Sequence, residues 1–277
     1  MTRFKNKVVI VTGSTSGIGA ATALLFAKEG ARVTVTGRNE KGAKETIDAI
    51  ADIGVPEDRV LCVIADVTKA GDREKIVQST VTKWGRLDVL VNNAGASITH
   101  GKTGFENNED AYRDTMDLNL TSVLQLTNVA RPHLIKSKGE VVNVSSIMGL
   151  NFGYPETPYY PIAKASLDQL TRCLSLDLIR HGVRVNGVSP GLVKTHFLNR
   201  MGLTKEQSEK AYNFYGTQRN CIPRGKFGEP SEIASVIAFL ADRRSSSFIV
   251  GQTIVVDGGS SLIMGMYTYD LGRALIS

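Results

Sequence analysis

Short apolar runs alternate with helical stretches from one end of the chain to the other. Lys7-Val8-Val9-Ile10-Val11-Thr12 is an apolar run stopped by Gly13, and a helical segment from about Gly17 to Glu29 follows, ended by Gly30. Arg32 to Thr36 is a second strand ending at Gly37, and Glu40 to Ile53 has helical spacing up to Gly54. Val60 to Ala65 reads as the third strand, Arg73 to Trp84 as a helix closed by Gly85, and Leu87 to Val91 as the fourth strand. A long, mostly helical stretch comes next. Val141 to Val144, Val183 to Val188 and Thr253 to Val256 supply strands five, six and seven. Apolar runs this short, alternating with helices, belong to a parallel sheet covered on both faces. The pattern predicts an α/β fold. It is a single Rossmann-type doubly wound domain over 1–277, with a seven-stranded parallel sheet, helices on both faces and ligands at the carboxyl ends of the strands. Thr195 to Pro230 breaks the rhythm, being long, polar-aromatic and interrupted, and suits a mobile flap at 195–230 over a pocket.

Composition narrows the classes. Hydrophobic residues make up 42% of the 277 and charged residues 22%, which is normal for a globule with a real core. No stretch approaches the ~20 apolar residues that cross a bilayer. Strand-like sequence begins too early for a signal peptide. Cys62, Cys173 and Cys221 stand far apart with no C-x-x-C pair, which argues against a disulfide framework or structural zinc and for a reducing compartment. The four histidines (His100, His133, His181, His196) lack metal-ligand spacing, so no metal is expected. Lys plus Arg number 33 against 27 Asp plus Glu, a spread-out excess that is no nucleic-acid footprint. A cytoplasmic protein is expected, and the final Leu-Ile-Ser is not the peroxisomal Ser-Lys-Leu.

The chemistry starts where the first strand ends, in Thr12-Gly13-Ser14-Thr15-Ser16-Gly17-Ile18-Gly19. Glycines at 13, 17 and 19 let the backbone turn sharply and lie close to a ligand, while the following helix aims free N–H groups and its positive end at an anion. Tyr160 and Lys164 are four apart, a rotation of about 40° on a helix, so both face one way. An ammonium near a phenol favours phenolate and lowers its pKa from about 10. That suits Tyr160 as a general acid and base.

The G-x-x-x-G-x-G loop is one of several marks in order. Asn92-Asn93-Ala94-Gly95 follows strand four, and Asn119 stands in Leu118-Asn119-Leu120. Ser145-Ser146 ends strand five. Tyr160-Pro161-Ile162-Ala163-Lys164 is a Y-x-x-x-K, and Ser189-Pro190-Gly191 and Val256-Asp257-Gly258-Gly259 end strands six and seven. With these, the chain from about Lys7 to Ile263 resembles the short-chain dehydrogenase/reductase family, in detail its glucose-dehydrogenase-like or tropinone-reductase-like members. The resemblance implies a catalytic set of Asn119, Ser146, Tyr160 and Lys164. Ser146 polarises the substrate oxygen, Asn119 helps hold a water that connects Lys164 to solvent, and Lys164 bonds the ribose. It also implies a coenzyme site. Gly13, Ser14, Thr15, Ser16, Gly17, Ile18 and Gly19 form the phosphate loop. Asp66 and Val67 meet the adenine, with a helix-capping Asp66 as the alternative. Asn93, Ala94 and Gly95 lie beside the ribose. Pro190, Gly191, Val193 and Thr195 lie at the carboxamide and pyrophosphate, and hydride transfer uses the pro-S face. One spacing departs from the family. Ser146 lies fourteen residues before Tyr160 where thirteen is usual, and counting thirteen reaches Ile147. The extra residue is placed in the loop Leu150 to Tyr159, with Ser145 as the fallback for Ser146.

Coenzyme choice follows from charge. An acid at the end of strand two binds a ribose 2′-OH and repels a 2′-phosphate. Here that position is Gly37, followed by Arg38, whose planar guanidinium suits phosphate. NADP(H) is therefore expected, against the plainer reading of Arg38 as a solvated surface residue. Ser146, Met148, Tyr154, Tyr160, Leu192 and Phe197 are expected to meet the substrate, with Ser97, Ile98, Leu150, Phe152, Met201, Tyr212 and Phe214 as further pocket candidates. They suggest a moderately hydrophobic ketone or secondary alcohol. His196 is read as solvated or at the substrate's edge. The resemblance implies a homodimer or homotetramer through the helices around Asp110–Ser137 and Tyr160–Arg180. The apolar tail 260–277 is expected to be covered by a neighbouring subunit or the pocket rim. Two rivals are an NADPH-binding regulator without turnover and a sugar-nucleotide epimerase. The intact Tyr and Lys speak against the first. The loop spacing and short C-terminal region speak against the second.

Overall fold

In the computed structural model, residues 2–106, 109–200 and 202–263 are described. Seven parallel strands form one sheet: β1 (Val8–Thr12), β2 (Arg32–Gly37), β3 (Val60–Ile64), β4 (Val89–Asn92), β5 (Glu140–Val144), β6 (Arg184–Pro190) and β7 (Thr253–Val256). Their order is β3-β2-β1-β4-β5-β6-β7, and every neighbouring pair is parallel. The chain thus winds one way from β1 to β3 and then the other way from β4, which opens a crevice between the carboxyl ends of β1 and β4.

β1 shows why the run Val8–Thr12 is apolar without alternation. All five residues are buried. Val9 and Val11 enter a core with Phe26, Ile50 and Ile237, whereas Val8 and Ile10 enter a second core with Ile76, Leu126 and Leu178. The pleat sends successive side chains to opposite faces, and both faces are covered. The first core lies under α1 (Gly17–Lys28), α2 (Glu40–Asp52) and α9 (Pro230–Ala241). The second lies under α3 (Ala70–Trp84), α5 (Ser122–Ser137) and α6 (Tyr159–Ile179).

Differences from the sequence reading are local. The stretch before β5 resolves into α4 (Glu109–Met116), a π-turn at Asp117–Thr121 and α5. Within 195–230 lie α7 (Phe197–Arg200) and α8 (Lys205–Thr217), the latter opened by a Thr204/Gln207 capping box. The two ends of this segment meet at a Val193–Gly228 bridge, where Lys194 N donates to Gly228 O at 2.9 Å. A short α10 (Arg243–Ser246) precedes β7. Of the tail 260–277, a 3-10 turn at Ser260–Leu262 is seen, and 264–277 lie outside the described residues, as does Met201.

Candidate active site

The glycine loop fills the crevice at the carboxyl end of β1. Gly13 and Gly17 have φ of +63° and +56°, backbone that only glycine adopts cheaply. A Cβ on Gly13 would lie 2.9 Å from Ala94 Cα, and one on Gly19 would lie 2.3 Å from Gly13 O. The loop is therefore packed to the limit of backbone contact. Thr12 Oγ1 accepts from the N–H groups of both Asn93 and Ala94, at 2.9 and 3.0 Å, and joins the loop to the Asn-Asn-Ala-Gly turn. Asn93 completes the tie through its amide, which donates to Thr12 O at 2.8 Å.

Two cavities meet at this loop. The first is walled by Gly13, Ser16, Gly17 and Ile18 on one side and by Ser146, Met148, Tyr160 and Lys164 on the other, with Pro190, Gly191, Leu192, Val193 and Thr195 across the top. The second is walled by Thr15, Gly37, Arg38, Asp66 and Val67, and the two share Gly13, Ala94 and Gly95. Nearly every residue expected at the coenzyme therefore borders one or other of these two adjoining cavities. Ser14 and Gly19 do not. Ser14 is buried, its hydroxyl donating to Val11 O at 2.7 Å and accepting from Thr36 N at 2.9 Å, so its side chain joins β1 to β2 beneath the loop.

Tyr160 and Lys164 occupy the first turns of α6, behind β5. Lys164 is 3% exposed; its Nζ donates to Val144 O at 2.9 Å and stands 5.6 Å from the Tyr160 ring centroid. Burial pushes Lys164 down to about 8, and Asp168 one turn further along α6 pulls it back up. Enclosure pushes the Tyr160 phenol up to about 12, only partly offset by its hydrogen bond with Ser146. The expectation of a lowered phenol is not met by the protein alone, where desolvation dominates. Ser146 Oγ accepts from Met148 N at 3.1 Å, which spends a lone pair and leaves its proton to donate. Ser145 turns the other way, its hydroxyl donating to Lys164 O at 3.3 Å. Ile147, thirteen residues before Tyr160, also borders the cavity but carries no donor.

Asn119 sits in the π-turn, fully buried. Its Nδ2 donates to Ala96 O and Thr115 O, both at 2.8 Å, while its Oδ1 has no partner. That orphaned acceptor faces Gly95: a Cβ there would lie 2.8 Å from Asn119 Oδ1 and 3.2 Å from Lys164 Nζ. In the second cavity Asp66 Oδ1 accepts from the Thr68 N–H and hydroxyl, at 3.0 and 2.8 Å, in an Asx-turn ahead of α3. Burial works against the charge of Asp66, yet Thr68, Arg38 and Lys69 together hold it below the usual carboxylate range. Arg38 is 73% exposed on its side chain and 3.7 Å from Asp66.

Among the expected substrate contacts, Met148, Leu192 and Phe197 border the first cavity, with the Phe197 ring 5.6 Å from that of Tyr160. Tyr154 does not; it is exposed on the loop after β5, as is Phe152. Ser97 and Ile98 line a small adjoining pocket against Tyr159 and Tyr160. Leu198 and the edge of His196 also border the main cavity. The sequence offered no signal for Leu198, which reaches the wall only because α7 folds back over the site. The donor set, the close-packed glycine cradle and the unmet Asn119 acceptor fit a dinucleotide coenzyme.

Fold and site together define a nicotinamide-coenzyme oxidoreductase of the doubly wound class. The chain belongs to the short-chain dehydrogenase/reductase family. A family model described as Enoyl-(Acyl carrier protein) reductase matches residues 13–261. The chain is 38% identical over 258 residues to "3-oxoacyl-[acyl-carrier-protein] reductase FabG" of Thermotoga maritima, covering 93% of this chain and 98% of that one. It is 39% identical over 259 residues to "Meso-2,3-butanediol dehydrogenase" of Serratia marcescens, covering 94% and 96%. Among solved structures, a short-chain dehydrogenase/reductase of unknown function from Caenorhabditis elegans, with cofactor, superposes with a TM-score of 0.95 at 50% identity, covering 97% of this chain and all of that one. An apo glucose dehydrogenase of the same organism gives 0.82 at 48%, covering 95% of this chain and all of that one.

Proposed function

We propose that the protein is an NADP(H)-dependent oxidoreductase that interconverts a ketone and a secondary alcohol, with Tyr160 as general acid and base. The observation that carries this reading is the convergence of Ser146, Tyr160 and Lys164 on one cavity, which shares Gly13, Ala94 and Gly95 with the neighbouring cavity that Arg38 lines. The Gly13–Gly19 loop and the N-terminus of α1 would hold the pyrophosphate. Asp66 and Val67 would meet the adenine, and Pro190, Gly191, Val193 and Thr195 the nicotinamide half. The bound coenzyme supplies or accepts the hydride. Ser146 donates its hydroxyl proton to the substrate oxygen and favours negative charge there. Tyr160 gives that oxygen its phenolic proton in reduction and removes it in oxidation. The Lys164 ammonium bonds the ribose and lowers the cost of the phenolate. The Asn119 acceptor, facing Lys164 across Gly95, holds a water through which Lys164 exchanges protons with solvent.

Two features favour NADP(H) over NAD(H). Arg38 supplies a cation beside the β2 end. A Cβ at residue 37 would lie 2.8 Å from Thr15 Cγ2, so the place of a ribose-binding acid is closed by sterics as well as by composition. Met148, Leu192, Leu198 and Phe197 give the substrate end an apolar wall, which supports a moderately hydrophobic substrate. Relatives named for 3-oxoacyl, meso-2,3-butanediol and L-fucose chemistry support the reaction class and leave the substrate open. The chain works as one domain with the 195–230 segment over the site, in the cytoplasm. Leu176 and Ile179 on α6, 75% and 38% exposed, and the fully exposed Phe248 support self-association as a homodimer or homotetramer. No helix among the described residues is long and apolar enough to cross a membrane.

The test is turnover of NADPH or NADP⁺ against a panel of ketones and alcohols, followed at the nicotinamide absorbance. Tyr160→Phe should abolish turnover while coenzyme still raises the melting temperature. Arg38→Ala should erase the preference for NADPH over NADH. Undiminished turnover in the first variant, or an unchanged preference in the second, overturns the corresponding half of the reading.

A further inference from the structure

Tyr212 on α8 is a buried aromatic that the chemistry above does not use. Its hydroxyl donates to Thr195 O at 2.5 Å and accepts from Thr195 N at 3.2 Å, so one phenol satisfies both backbone groups of a single residue. Thr195 in turn rests on the glycine loop: a Cβ on Gly17 would lie 3.1 Å from its Cγ2. Its Oγ1 accepts from Phe197 N at 3.2 Å, which spends a lone pair and leaves the hydroxyl proton for a ligand. Phe197 then lies against Tyr160. Behind the phenol, the Tyr212 ring packs edge-on to Phe227 with centroids 4.8 Å apart and interplanar angle 90°, in a small separate core that includes Ile222. Gly216 makes room for it, because a Cβ there would lie 3.1 Å from Phe227 Cδ2. A buried tyrosine usually finds some hydrogen-bond partner. Here both bonds fall on a residue that lines the first cavity and stands against Gly17 of the glycine loop.

We propose that Tyr212 is a positioning residue for coenzyme retention, its hydroxyl fixing Thr195 against the glycine loop over the pyrophosphate and nicotinamide half of the bound dinucleotide. This rests on the coenzyme reading above. The adenosine half lies in the other cavity, whose walls Tyr212 does not touch. Loss of the hydroxyl therefore weakens the whole dinucleotide and spares a ligand confined to the adenosine end.

The experiment compares wild type with Tyr212→Phe, which keeps the ring and its packing on Phe227. NADPH affinity and release are read by its fluorescence, and 2′,5′-ADP affinity by calorimetry. The expected result is NADPH binding weakened about tenfold, mainly through faster release, in line with two lost hydrogen bonds, with 2′,5′-ADP affinity within twofold of wild type. Equal loss for both ligands would mean a general structural role and overturn the proposal, as would unchanged NADPH binding. Phe227→Leu guards against a folding artefact. It loosens the packing but keeps the hydroxyl, and should spare NADPH release more than Tyr212→Phe does. The reverse order counts against the proposal. A wild-type protein that binds no NADPH would overturn the coenzyme reading itself, an outcome distinct from failure of the Tyr212 assignment.

Discussion

A methyl group at residue 95 would stand 2.8 Å from Asn119 Oδ1 and 3.2 Å from Lys164 Nζ. Both polar atoms border the space that the missing side chain of Gly95 leaves open. The orphaned Asn119 acceptor is buried, and a buried acceptor without a partner costs about 1–3 kcal/mol unless water reaches it. Gly95 thus leaves room beside the ammonium for the water of the proposed proton path. The titration behaviour shows why this matters. Burial drives Tyr160 up to about 12 and Lys164 down to about 8, so enclosure alone favours the uncharged form of both. In the proposed mechanism, proton transfer through Tyr160 then depends on keeping Lys164 charged and connected to solvent. Gly95→Ala should lower kcat on the order of tenfold and leave circular dichroism and the oligomeric state unchanged. Full activity in that variant would remove the water from the proton path. Asn119→Asp offers a complementary comparison, because it keeps the Oδ1 acceptor and adds charge while losing the amide donor to Ala96 O and Thr115 O.

Element by element, the chain announces its architecture well where physics is local. The non-alternating run Val8–Thr12 implies a strand covered on both faces, and it is buried on both. Glycines at 30, 54 and 85 punctuate the ends of α1, α2 and α3, all with positive φ. Tyr160 and Lys164 share a helix face as their spacing requires. Other features depend on tertiary contacts that no spacing encodes. The π-turn at Asp117–Thr121 lies inside an otherwise helical run, and the orphaned state of Asn119 follows from that turn. Ser14 looks like a loop ligand yet belongs to the β1–β2 joint, because its hydroxyl is consumed by Val11 O and Thr36 N. Tyr154 is aromatic and near Tyr160 in sequence, but its loop carries it outward. The Tyr212–Thr195 contact joins residues seventeen apart through a helix whose docking could not be read in advance. The meeting of β2 with the glycine loop yields a prediction at this scale. Gly37→Asp places an acid where NAD(H) enzymes carry one, but its Cβ meets Thr15 Cγ2 at 2.8 Å. The single variant should lose NADPH affinity at least tenfold without gaining NADH. Gly37→Asp combined with Thr15→Gly should bind NADH. A clean switch by the single variant would show that the loop yields freely and that charge alone sets the choice.

Across the whole molecule, buried charge gathers at both ends of the sheet. The carboxyl ends hold the active site, and the amino ends hold a buried ion cluster. Arg184 is 2% exposed and pairs with Glu140 at 2.9 Å, while its guanidinium donates to the carbonyls of Leu240 (2.7 Å), Ser246 (2.6 Å) and Ile249 (2.9 Å). Arg243 reaches the other Glu140 oxygen at 2.7 Å. The cluster ties β5 and β6 to α9, α10 and the approach to β7, far from Tyr160 along the strands. Burial pushes Glu140 up to about 7, although both guanidiniums pull it down. Arg184→Met strips the carboxyl of its most buried partner and strands three carbonyls, a loss of about 3–5 kcal/mol. For a chain of this length that is a fall of roughly 10 °C in melting temperature. The sign with pH follows from proton counting. Without Arg184 the folded pKa of Glu140 rises further, so the folded state holds more protons than the unfolded one from about pH 4.5 upward. Stability of the variant should therefore drop as pH rises, and its deficit against wild type should be larger at pH 8 than at pH 5.5. Turnover per folded molecule should not change, since no atom of the cluster borders the catalytic cavity. Calorimetry at the two pH values and a turnover assay below the transition check both halves. A deficit independent of pH would mean that the lost carbonyl bonds, and not the stranded carboxylate, dominate, and reduced turnover would mean that the two ends of the sheet are coupled.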